Sequence, residues 1–229
     1  MALVTSPIKQ LATFTSQTAG LEKTLRLIQA TSQVVGELTP DKTVARQWLT
    51  ARDQLALGRR YFRLLDFYGC FERVHGLLAG SSTQGGILTT IEMAEYTFLG
   101  LYLLLENLTI LHDMNVYHVS WYKPLLTEAN KFWFYAIILS ITRATWALLF
   151  TSAPTVTPSK TEKGAKTPAA TGPSKSALVK GIVINACDLT LPGSFVGWVP
   201  ATGLQIGIAM VVSTLLAGHN IWVAQRQAR

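Results

Sequence analysis

The opening third of the chain alternates between apolar and polar positions with a helical period. Leu11, Phe14, Leu21, Leu25, Ile28 and Val35 fall on one ladder of three- and four-residue steps, with Thr18 and Ser32 filling the gaps. The pattern predicts a helix over about 7–36, opened by Ser6-Pro7 and ended by Gly36 and Pro40. Lys9, Lys23 and Arg26 lie off that seam. Thr39-Pro40-Asp41 is a second start signal, and the next helix is predicted to run to about 79. Along it Leu57, Tyr61, Leu64, Tyr68 and Phe71 share one face, because their spacings are four and three residues. Arg52, Arg59, Arg63 and Arg73 share the other, with Asp66 among them, and Arg60 stands on the apolar side, where it would snorkel. Such a helix either packs in a core with a solvated basic face or lies in a membrane interface.

Beyond the loop Ser81–Gly86 the pattern loses its polar side. Ile87 to Leu111 reads as a helix, apolar throughout from Phe98 to Leu105 and interrupted by Glu92, Glu95 and Glu106. Those acids favour a buried or partly inserted helix over a span. Phe132 to Phe150 carries one charge, Arg143, and is long enough to cross a bilayer. An arginine at mid-bilayer costs about 2.5–3.5 kcal/mol, which Glu106 or Asp113 on a neighbouring helix could offset. Residues 151–176 change character to Thr, Ser, Pro, Ala, Gly and Lys, the composition of a disordered linker in which Ser159, Thr161 and Thr167 could accept phosphate. Between Asp188 and Arg226 no Asp, Glu, Lys or Arg occurs. Gly203 to Val223 is the strongest span, with Trp198 and Trp222 near its ends as interfacial aromatics. Gly203 and Gly207 form a GxxxG that Ala209, Ser213 and Ala217 extend, a candidate face for helix self-association.

This patterning divides the chain into N-terminal amphipathic helices (1–80), middle apolar helices with a candidate span (81–150), the linker (151–176) and a C-terminal membrane anchor (177–229). The fold class is all-α, a helical membrane protein. Composition agrees. Of 229 residues 49% are hydrophobic and 14% charged, and mean hydropathy is +0.28. Soluble domains carry about 25% charged residues, so disorder and an ordinary cytosolic enzyme are both disfavoured. The net charge of +7 is uneven. Residues 1–80 hold ten Lys/Arg against six Asp/Glu, residues 81–150 three against five, and residues 151–229 seven against two. A basic apolar chain suits anionic lipid better than nucleic acid. Because the N-terminal region, linker and tail are all basic, counting positive charges does not set orientation.

Candidate chemistry is sparse. The sequence holds no phosphate-binding glycine loop, no HExxH and no GxSxG. His75, His112, His118 and His219 are scattered, and Cys70 and Cys187 read as small apolar fillers. Catalytic, cofactor and metal residues are therefore not assigned. No secretory signal is read at Met1–Pro7.

Four segments carry a resemblance. Ala19 to Gln29, Leu57 to Leu64, Tyr102 to Leu108 with Leu111-His112, and Cys187 to Pro192 before Gly197-Trp198 resemble, in order and spacing, the peroxin-eleven family of peroxisomal membrane proteins. The likeness covers most of the chain except the linker, which departs from it. It implies an integral peroxisomal membrane protein with both termini in the cytosol. Such a protein would self-associate, bend and elongate the membrane through its amphipathic helix, and help fission factors act. The residues add a mechanism. Leu57, Tyr61, Leu64, Tyr68 and Phe71 would enter the outer leaflet while Arg52, Arg59, Arg63 and Arg73 meet anionic headgroups, each basic residue adding about 1 kcal/mol. The expected partners are membrane lipids, further copies of the chain and the fission machinery, with no nucleic acid. The alternative is a pore for small metabolites lined by Glu106, Arg143, Gln205 and Asn220.

Overall fold

A computed structural model describes residues 6–80, 86–150 and 174–227. Every element among these residues is a helix. The first predicted helix is two: α1 (Pro7–Ser16) and α2 (Thr18–Leu38), parted at Gln17, whose backbone is extended. Thr13, Thr15 and Ser16 turn their hydroxyls onto carbonyls three and four residues back, which weakens the end of α1. Ser6 precedes Pro7 as foreseen, but its side chain accepts no capping hydrogen bond.

The second predicted helix is also two, α3 (Lys42–Phe62) and α4 (Asp66–Leu78). Asp41 caps α3 by accepting from the Thr43 and Val44 amides at 2.7 and 3.3 Å. At the junction the bonding tightens to three-residue steps: Arg63 donates to the Arg60 carbonyl and Asp66 to that of Arg63. Asn107 donates its side-chain amide to the Leu64 carbonyl, satisfying a group the break sets free.

α5 (Gly86–Leu108) and the one-turn α6 (Ile110–Asp113) replace the helix predicted over 87–111, and Asn115 follows with a left-handed φ of 57°. α7 (Tyr122–Phe150) begins ten residues before the predicted span. The linker lies outside the described residues up to 173; Lys175 and Ser176, placed in it by composition, form the first turn of α8 (Lys175–Val196), capped by Ser174. Gly197, at φ 85°, ends α8, and Trp198 donates back to the Gly193 carbonyl at 2.8 Å. α9 (Gly203–Gln227) opens on a reciprocal cap between Thr202 and Gln205.

The helices pack as a closed circuit. α3 lies on α2, α2 on α9, α9 on α8, α8 on α7, α7 on α5 and α5 on α4, which follows α3 in the chain. Among the described residues three helices are long and apolar enough to cross a membrane: Gly86–Leu108, Tyr122–Phe150 and Gly203–Arg226, with mean hydropathies of 1.2, 1.4 and 1.6. The first was read as too acidic to span. Its acids are neutralised from outside the helix: Arg73 reaches Glu92, Arg143 reaches Glu95, and Arg60 and Arg63 reach Glu106. Arg143 therefore finds Glu95, at 2.7 Å, and not Glu106 or Asp113.

One packing cluster joins α4, α5 and α7. Cys70, Tyr102, Leu103 and Ala129 are buried there beneath Phe67, Tyr96, Leu99, Phe132 and Trp133. The Tyr102 and Trp133 rings stack at 4.9 Å. A Cβ on Gly100 would lie 2.9 Å from the Phe71 ring and 3.2 Å from Cys70 Cβ, so its lack of a side chain sets how closely α4 meets α5.

Between α2 and α3 the pattern is reversed. The buried face of α2 is Glu22, Arg26, Gln29, Ser32 and Gln33, while Ile28 of the apolar ladder is exposed and Leu21, Leu25 and Val35 are half-buried. The amphipathic pattern is present, but its polar side faces inward. Those polar groups find their partners inside the protein, Glu22 and Gln29 on Arg59 and Arg26 on Asp188.

Candidate membrane interface

The proposed inserting face meets the surface at the α3–α4 junction. Tyr61, Leu64 and Tyr68 are exposed, Tyr68 by 65%. Leu57 is half-buried, and Phe71 turns toward Gly100 of α5. The five residues do not form one continuous stripe, because the break at 63–65 changes the helix phase. The same break brings Phe62 and Leu65 outward beside them, Leu65 by 64%. Those two were missed, since an uninterrupted helix places neither on the stripe. The exposed patch is thus Tyr61, Phe62, Leu64, Leu65 and Tyr68.

The four arginines do not share a surface. Arg52 is partly exposed beside Asp53, and Arg73 is exposed with its guanidinium on Glu92 at 2.5 Å. Arg59 is buried. It donates to Glu22 from Nε at 2.8 Å and from Nη2 at 2.6 Å, and to Gln29 at 2.6 Å. Arg63 donates to Glu106 at 3.2 Å. Arg60, expected to snorkel, is buried too, on Asp113, the Glu106 carbonyl and Thr109. Arg59, Arg60 and Arg63 are therefore turned inward, away from the surface where headgroups lie. Partners on α2, α5 and α6, each 30 or more residues away, hold them there.

Electrostatics make the α2–α3 contact a tight ionic one. Burial pushes the Glu22 carboxyl up, but Arg59 and then Lys23 outweigh it and hold its pKa at about 2. Burial, opposed by Glu22 and reinforced by Arg26 and Arg63, pushes the Arg59 guanidinium below its usual range.

The GxxxG of α9 is occupied within the chain. A Cβ on Gly203 would collide with the Glu37 carboxylate, and one on Gly207 would lie 2.8 Å from Val34 Cγ2. Gln33 also donates to the Gly203 carbonyl at 2.7 Å. The small-residue notch thus receives α2, not a second α9. Trp222 packs on Phe14 at 5.6 Å beneath Arg226, and Trp198 on Phe134 at 5.0 Å. The pore-lining candidates do not converge. Glu106 meets Arg60 and Arg63, Arg143 meets Glu95, Gln205 caps Thr202, and Asn220 accepts from Lys180.

The family profile described as Peroxisomal biogenesis factor 11 (PEX11) matches residues 8–222. The chain belongs to the PEX11 family. Searches of curated proteins and of solved structures give no match. Membership makes it a peroxisomal membrane protein tied to peroxisome proliferation, in a family of biogenesis factors and not of enzymes. The three apolar helices fit a PEX11 protein in a membrane. The match spans every helix among the described residues in whole or part, so the ionic α2–α3 contact and the exposed junction both lie within the PEX11 region.

Proposed function

We propose that this PEX11 protein elongates the peroxisomal membrane by seating the α3–α4 junction in the outer leaflet. The observation that carries the reading is the exposed patch of Tyr61, Phe62, Leu64, Leu65 and Tyr68, five large apolar side chains at one bend. Apolar area left in water by folding is recovered by insertion, at roughly 25 cal/mol per Å². Volume added to one leaflet expands it and favours curvature. Arg52 and Arg73 flank the patch along the chain and supply headgroup contacts, while Arg59 and Arg63 brace α3 against α2 and α5.

Self-association would concentrate these wedges, and fission factors would act on the narrowed membrane. Gly203 and Gly207 are filled by α2, so copies meet through another face. Both termini on the cytosolic side require an even number of crossings. The three candidate helices then cannot all cross unless a further helix crosses with them.

Leu64→Asp in the full-length protein tests the wedge on liposomes. Leu64 is exposed, so the fold and its helicity should persist while tubulation is lost, because a carboxylate is costly to carry into the leaflet. Tubulation at the wild-type level would overturn the proposal.

A further inference from the structure

α5 and α7 lie side by side and run in opposite directions. Glu95 meets Arg143 at 2.7 Å, and further along α5 Tyr102 stacks on Trp133 at 4.9 Å. Each helix is long and apolar enough to cross a bilayer. The chain between them, residues 109–121, therefore turns at one membrane surface when the pair crosses. A turn that faces water points its polar side chains outward, and here the order is reversed. Leu111, Met114, Val116, Tyr117 and Trp121 are exposed, Val116 by 67% and Tyr117 by 65%. No Lys or Arg occurs between Thr109 and Tyr122. The one acid, Asp113, is turned back onto Arg60 and onto the Tyr122 hydroxyl, which donates to it at 2.6 Å.

The backbone of the turn is closed on itself as well. The amides of residues 112–115 donate to carbonyls three and four residues back, and those of Val116 and Tyr117 both donate to the Leu111 carbonyl, at 3.0 and 3.1 Å. The Val119 amide donates to His112 Nδ1 at 3.1 Å, and the His112 ring stacks on Tyr122 at 3.9 Å. Water supplies partners for the amides of a solvated turn, whereas a segment that gives up water must supply its own.

We propose that this turn is seated in the interfacial zone of the bilayer, with Leu111, Val116, Tyr117 and Trp121 against lipid. Tyr and Trp suit that zone because their rings join an apolar body to a polar edge. The apolar surface begins on the span itself, at exposed Leu108, and adjoins the α3–α4 junction, where Asn107 holds the Leu64 carbonyl. The inference rests on α5 and α7 crossing, and it stands whether or not the junction drives curvature. With no Lys or Arg in the turn, its seating does not depend on anionic lipid, unlike a contact made through Arg52.

The test uses the full-length protein in phosphatidylcholine nanodiscs, with an environment-sensitive fluorophore on Tyr117→Cys. Cys187→Ser removes the partly exposed native thiol, and Cys70 is buried. Tyr117 is exposed, so the substitution should leave helicity unchanged. A lipid nitroxide held just below the headgroups should remove most of the emission, a nitroxide deep in the acyl chains less, and aqueous iodide least. Adding anionic lipid should not change that order. Strong iodide quenching with none from either nitroxide would put the turn in water and overturn the proposal. So would shielding from all three quenchers, which would assign the face to another copy or a protein partner, or quenching by the nitroxide only when anionic lipid is present. Leu64→Asp in the same labelled protein separates the two readings. Loss of tubulation with the Tyr117 label still quenched from the shallow zone supports the turn independently of the wedge. An aqueous label beside tubulation that still depends on Leu64 overturns the turn and leaves the wedge.

Discussion

The α2–α3 contact and the α4–α5–α7 cluster hold the same circuit of helices together by opposite means. In the first, Glu22, Arg26, Gln29 and Arg59 are buried, while Leu21, Leu25 and Val35 of the apolar ladder are half-buried and Ile28 is exposed. In the second, Tyr102, Leu103, Ala129 and Cys70 are buried beneath stacked rings. Ionic contacts are directional and fail at once when one partner is lost, whereas ring packing is spread over many small contacts. The N-terminal pair is thus set in register by buried charge, and the middle of the chain by ring packing, with the Arg73–Glu92 and Arg143–Glu95 pairs beside it. The exposed junction patch lies where the two regimes meet, between α3 on the ionic side and α4 on the packed side.

The strongest way to break the ionic half is Glu22→Ala. It strands Arg59 without its carboxylate and should cost about 3–5 kcal/mol, read as a fall in thermal midpoint in micelles. The double variant Glu22→Leu/Arg59→Met should recover most of that loss, which would separate an unpaired charge from lost packing.

Acid attacks the same contact reversibly. The folded Glu22 carboxyl is held at about 2, below its ordinary 4.5. Its contribution is therefore complete above about pH 4.5 and is lost as pH falls toward 2, amounting to no more than about 3 kcal/mol. Hydrogen exchange in α2 and α3 should accelerate through that window more than in α5 and α7, which ring packing also holds together. Equal acceleration in both regions would erase the distinction.

The packed half is challenged by Gly100→Leu, which drives a side chain into Phe71 and Cys70. Overpacking of this kind costs about 1–3 kcal/mol. The loss should not change with salt, since no charge is involved. The smallest effect is expected at Arg52→Gln. Arg52 is paired only with its exposed neighbour Asp53, so stability should move by less than about 0.5 kcal/mol. Binding to anionic vesicles should fall nonetheless, and more at low salt than at high.

These expectations mark how far the pattern of residues carried. The helical face through Leu57, Tyr61, Leu64, Tyr68 and Phe71 was legible from spacing, and three of the five do stand exposed. Its interruption was not. No Gly or Pro marks the break at Arg63–Leu65, which is stabilised by Asn107 and Glu106 of α5. The basic face was legible as a face, but its destination was not, because Arg59 on its own is equally suited to a phosphate or to Glu22. The small-residue line of α9 announced a close helix neighbour. That the neighbour is α2 of the same chain depended on packing.

What the sequence by itself determined is the helical content, the apolar lengths that can cross a bilayer and the family. Each of these is a local property or a sum over one segment: a turn is made within four residues, and a span within about twenty. Only the tertiary structure decided which side of each amphipathic helix faces inward and which acid meets which arginine. Arg26 and Asp188 are 162 residues apart, and Arg143 passes over nearer acids to reach Glu95. Hydropathy separates two faces of a helix but ranks inside over outside only against water. With lipid outside, the apolar face can turn outward and the polar face must find its partners within, and those partners are supplied by the rest of the chain.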